Sequence, residues 1–138
     1  MTGSAGPGEF RLPHNLYVDK WNRVWVADRE NHRVQIFRED GRFLTQWTDL
    51  YRPTDVRMDA EDVVYVTELP RRISIFTLDG RLLARWGNEG HSAQDRLFVA
   101  PHALAVDALG DLYVGEVAVT HGKVDRGART LQKFARRR

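Results

Sequence analysis

An all-β fold of antiparallel meanders is predicted by three features of this 138-residue chain. One segment recurs three times, as Leu12–Trp47, Arg52–Trp86 and Ala100–Phe134. Its landmarks stay in register: Pro13, Pro53 and Pro101, then Asp19, Asp59 and Asp107. Each copy divides into apolar runs too short to hold helices, with turn formers between them. Among those turns, Asp40-Gly41 and Asp79-Gly80 are the strongest hairpin dipeptides. A repeat of about 40 residues made of short strands is what one β-propeller blade requires. Three blades fall short of a ring, which normally takes about four to eight.

In the first copy, strands a to d are expected at Asn15–Val18, Val24–Ala27, Val34–Phe37 and Phe43–Trp47. Strands a and b are nearly continuously apolar, as suits inner strands sandwiched between blades. Strand c alternates in polarity, and Trp47 and Trp86 are expected to pack between blades. The second copy repeats the pattern at Thr54–Met58, Val63–Thr67, Arg72–Phe76 and Arg81–Trp86. Residues 87–99 form a longer polar connection. The third copy supplies strand a as Ala103–Val106 and strand b as Asp111–Val114, but its strand c, Thr130–Phe134, is delayed. Eighteen positions separate Glu116 from Phe134, against nine between Asp28 and Phe37, so an insertion occupies about Val117–Arg129. No strand d is expected after Phe134. The division that follows is a flexible N-terminus at 1–9, repeats at 10–49, 50–96 and 97–134, and a basic tail at 135–138.

Composition narrows the function classes. Cysteine is absent, which removes disulfides, thiol nucleophiles and cysteine metal sites. Neither a secretory signal nor an apolar run of membrane-spanning length is present, so a cytoplasmic, membrane-free protein is expected. The formal charge is only +2, and arginines alternate with acids along the chain. Nucleic-acid binding is therefore not expected, and Arg136–Arg138 reads as a solvated terminus.

Strand reversal puts the loops before strand a and between strands b and c on one face, and strand a rings the channel. His14 and His102 occupy the same place in copies 1 and 3, directly after proline, where copy 2 has Thr54. Two imidazoles entering one channel from different blades can share a metal such as zinc. They can equally be polar blade-entry residues that bond the backbone and nothing more. Asp19, Asp59 and Asp107 end strand a and suit turn formation. Asp28, Glu68 and Glu116 end strand b, in a role that can be structural. Arg29 can clamp a carboxylate or pair with Glu30. His32, His91 and His121 fall in loops without evident partners and read as surface residues. The chain has no glycine-rich phosphate loop and no nucleophile elbow.

The string VADRENHRVQIF, followed by an Asp-Gly turn and a Trp-closed strand, resembles an NHL repeat, with Asn31-His32-Arg33 where the name-giving triplet begins. The longer pattern LPHN…WVADRENHRVQIF is similar to the propeller of peptidyl-α-hydroxyglycine α-amidating lyases and their bacterial NHL-repeat relatives. The resemblance runs from Phe10 to Phe134 and implies the C-terminal half of a six-bladed propeller, with LQKF and its basic residues as a natural C-terminus. It also implies zinc held by three histidines from different blades, with His14 and His102 on two of those positions, and substrate contact by Arg29. The family's third histidine and its tyrosine have no counterpart here. Ala103 follows His102 where the lyases place an aspartate that serves calcium, so calcium is not expected. Three expectations follow. One is a zinc lyase, completed by a second copy or an N-terminal half, that cleaves an N–Cα bond to give a peptide amide and glyoxylate. Another is a non-catalytic propeller binding protein, peptide or RNA on its loop face, and the third is a truncated product with neither activity. A homodimer of two three-blade chains would close a six-bladed ring with four channel histidines, offering its channel face to a peptide or small molecule.

Overall fold

The computed structural model describes residues 6–69, 71–87 and 96–137. Three antiparallel sheets follow one another, one per repeat. Blade 1 comprises β1 (Pro13–Val18), β2 (Val24–Asp28), β3 (Arg33–Phe37) and β4 (Phe43–Trp47). Blade 2 comprises β5 (Pro53–Met58), β6 (Val64–Glu68), β7 (Arg72–Phe76) and β8 (Leu82–Trp86). Blade 3 has β9 (Pro101–Val106), β10 (Leu112–Glu116) and β11 (Leu131–Phe134), in sheet order β11-β10-β9. Each innermost strand begins at its proline, one or two residues before the sequence pattern places it. The delayed third strand is found where the insertion puts it, after a 3-10 turn at Gly127–Thr130. His91 lies outside the described residues, as does most of the 87–99 connection.

The recurring aspartates build the turns. Asp19 Oδ1 accepts the N–H groups of Trp21 and Arg23, both at 2.9 Å, and its Oδ2 accepts Trp25 Nε1–H at 2.8 Å. Asp59 and Asp107 repeat the pattern, with the Tyr65 and Tyr113 hydroxyls in place of the indole. One short side chain thus fixes a hairpin and the aromatic facing the next blade. At Asp40-Gly41 and Asp79-Gly80 only the glycine adopts positive φ, +87° and +89°. The register slips by one residue at Phe37 and Phe76. These are type I turns closed by a glycine bulge.

Two apolar clusters lie between the blades. Trp25, Ala27, Val34 and Ile36 meet Val56, Val64, Val66 and Phe76, with Trp47 against Phe76 at a 5.1 Å ring separation. Tyr65, Ile73 and Ile75 meet Leu104, Leu112, Val114 and Phe98. Phe98, at the end of the supposedly polar 87–99 connection, is fully buried. Leu16 and Val18 depart from the sandwiched expectation at 60% and 56% exposure, whereas Val56 and Leu104, which match Leu16 in register, are 2% and 4% exposed. Among the described residues, no blade stands in front of β1. Residues 6–9, expected to belong to a flexible N-terminus, are tied to blade 1 by Gly8 N–H to Gln35 and by Arg33 and Gln35 to the Glu9 carbonyl. No described helix is long and apolar enough to cross a membrane.

Candidate functional site

Three of the chemistry-bearing residues meet where the innermost strands begin. His14 enters on β1 and His102 on β9, and their Nε2 atoms lie 2.7 Å apart. Arg29 comes from the 3-10 turn Arg29–Asn31 after β2, and its Nη1 reaches to 3.3 Å from His14 Nε2. Its Nε–H donates to Glu30 Oε1 at 2.8 Å, so it meets both the neighbouring acid and the channel. Both histidines are half-buried, and a depression of about 210 Å³ opens beside Pro13, His14, Asn15 and Leu16. A larger hollow, lined by Tyr65, Trp86, Phe134 and Arg136 among others, lies away from this mouth.

The electrostatics favour the neutral form of both rings. Burial, then the Arg29 guanidinium, then His102 hold His14 below the ordinary 6.5, against the opposing hydrogen bond to the Leu12 backbone. Burial and Arg29 likewise lower His102, with Asp55 opposing. In the 2.7 Å contact one Nε2 donates and the other accepts, and Arg29 can donate only to an unprotonated His14 Nε2. His121 is exposed on the insertion, as the sequence suggests, yet it sits within electrostatic reach of the same group. Burial and then Arg52, Arg29 and Lys123 lower it, and Glu30 opposes.

Neutral imidazoles aimed at one point are suitable donors for zinc. Two ligands on a tetrahedral ion stand about 3.3 Å apart, so these rings would part by about half an ångström to admit one. Among the described residues, no group of three or more His, Cys, Asp or Glu side chains is placed to hold a metal. His14 and His102 would supply two of the ligands such an ion needs.

The supporting shell is built from the acids that end strand b. Asp28, Glu68 and Glu116 accept the backbone N–H of Arg11, Tyr51 and Val99 respectively, fixing the segment that leads into each innermost strand. Each also pairs with an arginine: Arg33 with Asp28 at 2.8 Å, Arg72 with Glu68 at 2.8 Å and Arg126 with Glu116 at 2.8 Å. Thr54, which replaces the channel histidine in blade 2, is buried and bonds Thr67 and the Pro101 carbonyl. It joins blade 2 to the residue preceding His102.

Asp55 was missed by sequence reasoning. It is buried; its Oδ1 accepts Asn15 Nδ2–H at 2.9 Å and Arg57 Nη1–H at 2.6 Å, and its Oδ2 accepts the Leu104 N–H at 2.9 Å. One carboxylate thus links all three blades behind the histidines. Burial raises its pKa, with Arg57 opposing. The available signal was an acidic residue within an innermost strand, aligned with Asn15 and Ala103. His32 needs correction. Far from lacking a partner, its Nδ1 accepts the Arg52 N–H at 3.1 Å and its ring stacks on Tyr51 at 4.8 Å. The left-handed φ of 54° that ends the 3-10 turn aims it at the next blade.

Comparison with known proteins agrees with this architecture. Residues 10–37 match the NHL repeat. Human NHL repeat-containing protein 3 is 31% identical over 137 residues, covering 94% of this chain and 37% of that protein. The chain thus spans little more than a third of that relative's length. Peptidyl-glycine alpha-amidating monooxygenase A of Xenopus laevis is 50% identical over 42 residues, 29% of this chain and 4% of that protein. Among solved structures, a streptogramin B lyase superposes with a TM-score of 0.60 at 15% identity, covering 87% of this chain and 39% of that one. That likeness concerns the fold. The repeat match, the three recurring turn aspartates and the three successive meanders lead to one conclusion: the chain carries an NHL repeat at residues 10–37 and forms three blades of the β-propeller type.

Proposed function

We propose that the channel mouth is part of a zinc-dependent lyase site of the peptidyl-α-hydroxyglycine amidating type. The observation that carries this reading is the convergence of His14 and His102, from blades 1 and 3, with Arg29 at 3.3 Å. The stretch of 50% identity to the amidating monooxygenase supports it. His14 and His102 would hold zinc through Nε2, and the bound ion would polarise a ligand hydroxyl or carboxylate oxygen. Arg29 would orient the ligand carboxylate. In the reaction the hydroxyl proton ends on the amide nitrogen, the N–Cα bond pair passes to that nitrogen, and the Cα–O bond becomes a carbonyl. Peptide amide and glyoxylate result, with no oxidant required.

Completion of the site requires further blades. We propose a second copy joined head to tail, because both end faces keep the chemistry of an internal joint. Leu16 matches the buried Val56 and Leu104, and Leu131, 66% exposed, matches the fully buried Val34 and Ile73.

A second reading, compatible with the two histidines being the metal-type ligands brought together here, is a propeller that binds a peptide on the same face without catalysis. Metal analysis of protein purified without chelator separates the two. Stoichiometric zinc that is lost in His14→Ala and His102→Ala supports the lyase. A folded protein that takes up no added zinc points to the binding platform.

A further inference from the structure

We propose that Arg52 is the second arm of a two-arginine clamp for the carboxylate of an acidic peptide ligand, and that Glu30 is the clamp's resident counter-ion. This rests on the reading that Arg29 meets the ligand carboxylate, and it adds a residue from the joint between blades 1 and 2.

The geometry of one oxygen carries the proposal. Glu30 Oε1 accepts Arg29 Nε–H at 2.8 Å, Arg52 Nε–H at 3.2 Å and Arg52 Nη2–H at 3.0 Å. Two guanidinia from different blades are thus gathered on a single carboxylate, beside His14. Among the described residues, Arg29 Nη2 and Arg52 Nη1 have no hydrogen-bond acceptor, so each arginine keeps a donor to offer. The Arg52 backbone is held at both ends: its N–H donates to His32 Nδ1 at 3.1 Å and its carbonyl accepts the Leu69 N–H at 3.0 Å. Its side chain therefore leaves from a fixed point. A planar fork of donors on a fixed base suits bidentate capture of a carboxylate.

The surroundings are cationic. Arg29, Arg52 and Lys123, with Glu30 opposing, lie within electrostatic reach of His121, and Arg29 also acts on His14 and His102, where Asp55 opposes it at His102. The insertion that brings His121 and Lys123 here is a built loop. Arg126 anchors it on Glu116 in a buried ion pair, and the His121 N–H donates to the Val117 carbonyl at 3.0 Å. At Gly122 a Cβ would collide with Val99 Cγ1 and crowd the Ala118 carbonyl, so only glycine lets the loop pack this closely.

The test uses an N-acetylated dipeptide with a free C-terminal carboxylate and the same dipeptide as its amide, titrated calorimetrically into the full chain at low salt. The acid should bind at least tenfold more tightly than the amide. Arg52→Gln should weaken the acid about tenfold and leave the amide unchanged, while Arg52→Lys, which keeps the charge without the fork, should recover part of the loss. Glu30→Gln should strengthen acid binding by releasing both guanidinia. Arg38→Gln, in the exposed β3–β4 hairpin, should change nothing. Wild-type protein that treats acid and amide alike, or Arg52 variants that bind the acid like wild type, would overturn the clamp. Acid binding that falls in Glu30→Gln would overturn the counter-ion role. Zinc content measured on the same samples reports on the histidine pair alone, so the failure of one reading is distinguishable from that of the other.

Discussion

His14 Nε2 and His102 Nε2 lie 2.7 Å apart across 88 residues of sequence, so blades 1 and 3 touch at the channel mouth although blade 2 separates them along the chain. At that distance one ring donates and the other accepts, and a doubly protonated pair would repel. A shared metal would replace the proton between the rings and bind a lone pair of each.

Zinc should therefore stabilise the fold by mass action. At a free concentration about a hundred times its dissociation constant, the gain is about 2.7 kcal/mol. Calorimetric melting with and without zinc should show an upward shift in wild-type protein that disappears in His14→Ala and His102→Ala. A shift that survives in both variants would place the metal elsewhere.

Arg126→Ala should be among the most damaging substitutions. The side chains of Arg126 and Glu116 are fully buried, and removing one partner strands the other charge at a cost of about 3–5 kcal/mol. Denaturant unfolding should register that loss, while the partly exposed pair Arg85–Asp49 should be worth less than about 1 kcal/mol when broken. Comparable costs at the two sites would contradict the assignment.

Asp55→Ala should loosen all three blades together. It leaves the Leu104 N–H and the Asn15 amide without their carboxylate and Arg57 without its counter-charge, for about 2–4 kcal/mol. Hydrogen exchange should quicken at Leu104 on β9 as well as along β5. Exchange confined to blade 2 would show that the carboxylate does not act as a link.

Acid stability should follow the turn aspartates. Burial opposes ionisation of Asp19, but the bonds from Trp25 and Arg23 prevail and hold it below the ordinary 3.8. At Asp107 the Asp111 N–H lowers the pKa most, and the Tyr113 hydroxyl helps. The unfolded chain therefore takes up these protons first, so the contribution of Asp19 and Asp107 is fully present well above the ordinary 3.8 and declines as pH falls through the depressed folded values. Denaturation midpoints between pH 7 and 2.5 should show that decline, and Asp19→Asn should make it shallower. An unchanged slope in the variant would remove these carboxylates from the account.

Self-association should depend on the two bare faces. Sedimentation equilibrium should find dimers that Leu16→Asp with Val18→Asp converts to monomers. A monodisperse wild-type monomer at high concentration would sink the head-to-tail pairing.

Much of the fold was legible because its rules are local. The turn aspartates, the Asp-Gly hairpins and the run lengths each act within about six residues, and they put eleven strands close to where the structure has them. The convergence of His14, His102 and Arg29 was legible from topology, since strand reversal alone assigns loops to one face. Contacts between blades were harder to read. Asp55 gains its importance from Asn15 and Leu104, which belong to other blades, and its place within an innermost strand does not by itself name those partners. His32 looked free because its partners, Arg52 and Tyr51, lie in the next repeat.

In blades 1 and 2 the arginine that caps the acid is the first residue of the third strand. In blade 3 that position is Thr130, and Arg126 supplies the guanidinium from the insertion instead. The fastening guanidinium of blade 3 therefore sits in the added segment. A loop that carries its own fastening can lengthen, shorten or change composition between its anchor and the channel without loosening the blade beneath. Such an arrangement lets selection rework the rim of the mouth while the scaffold stays fixed.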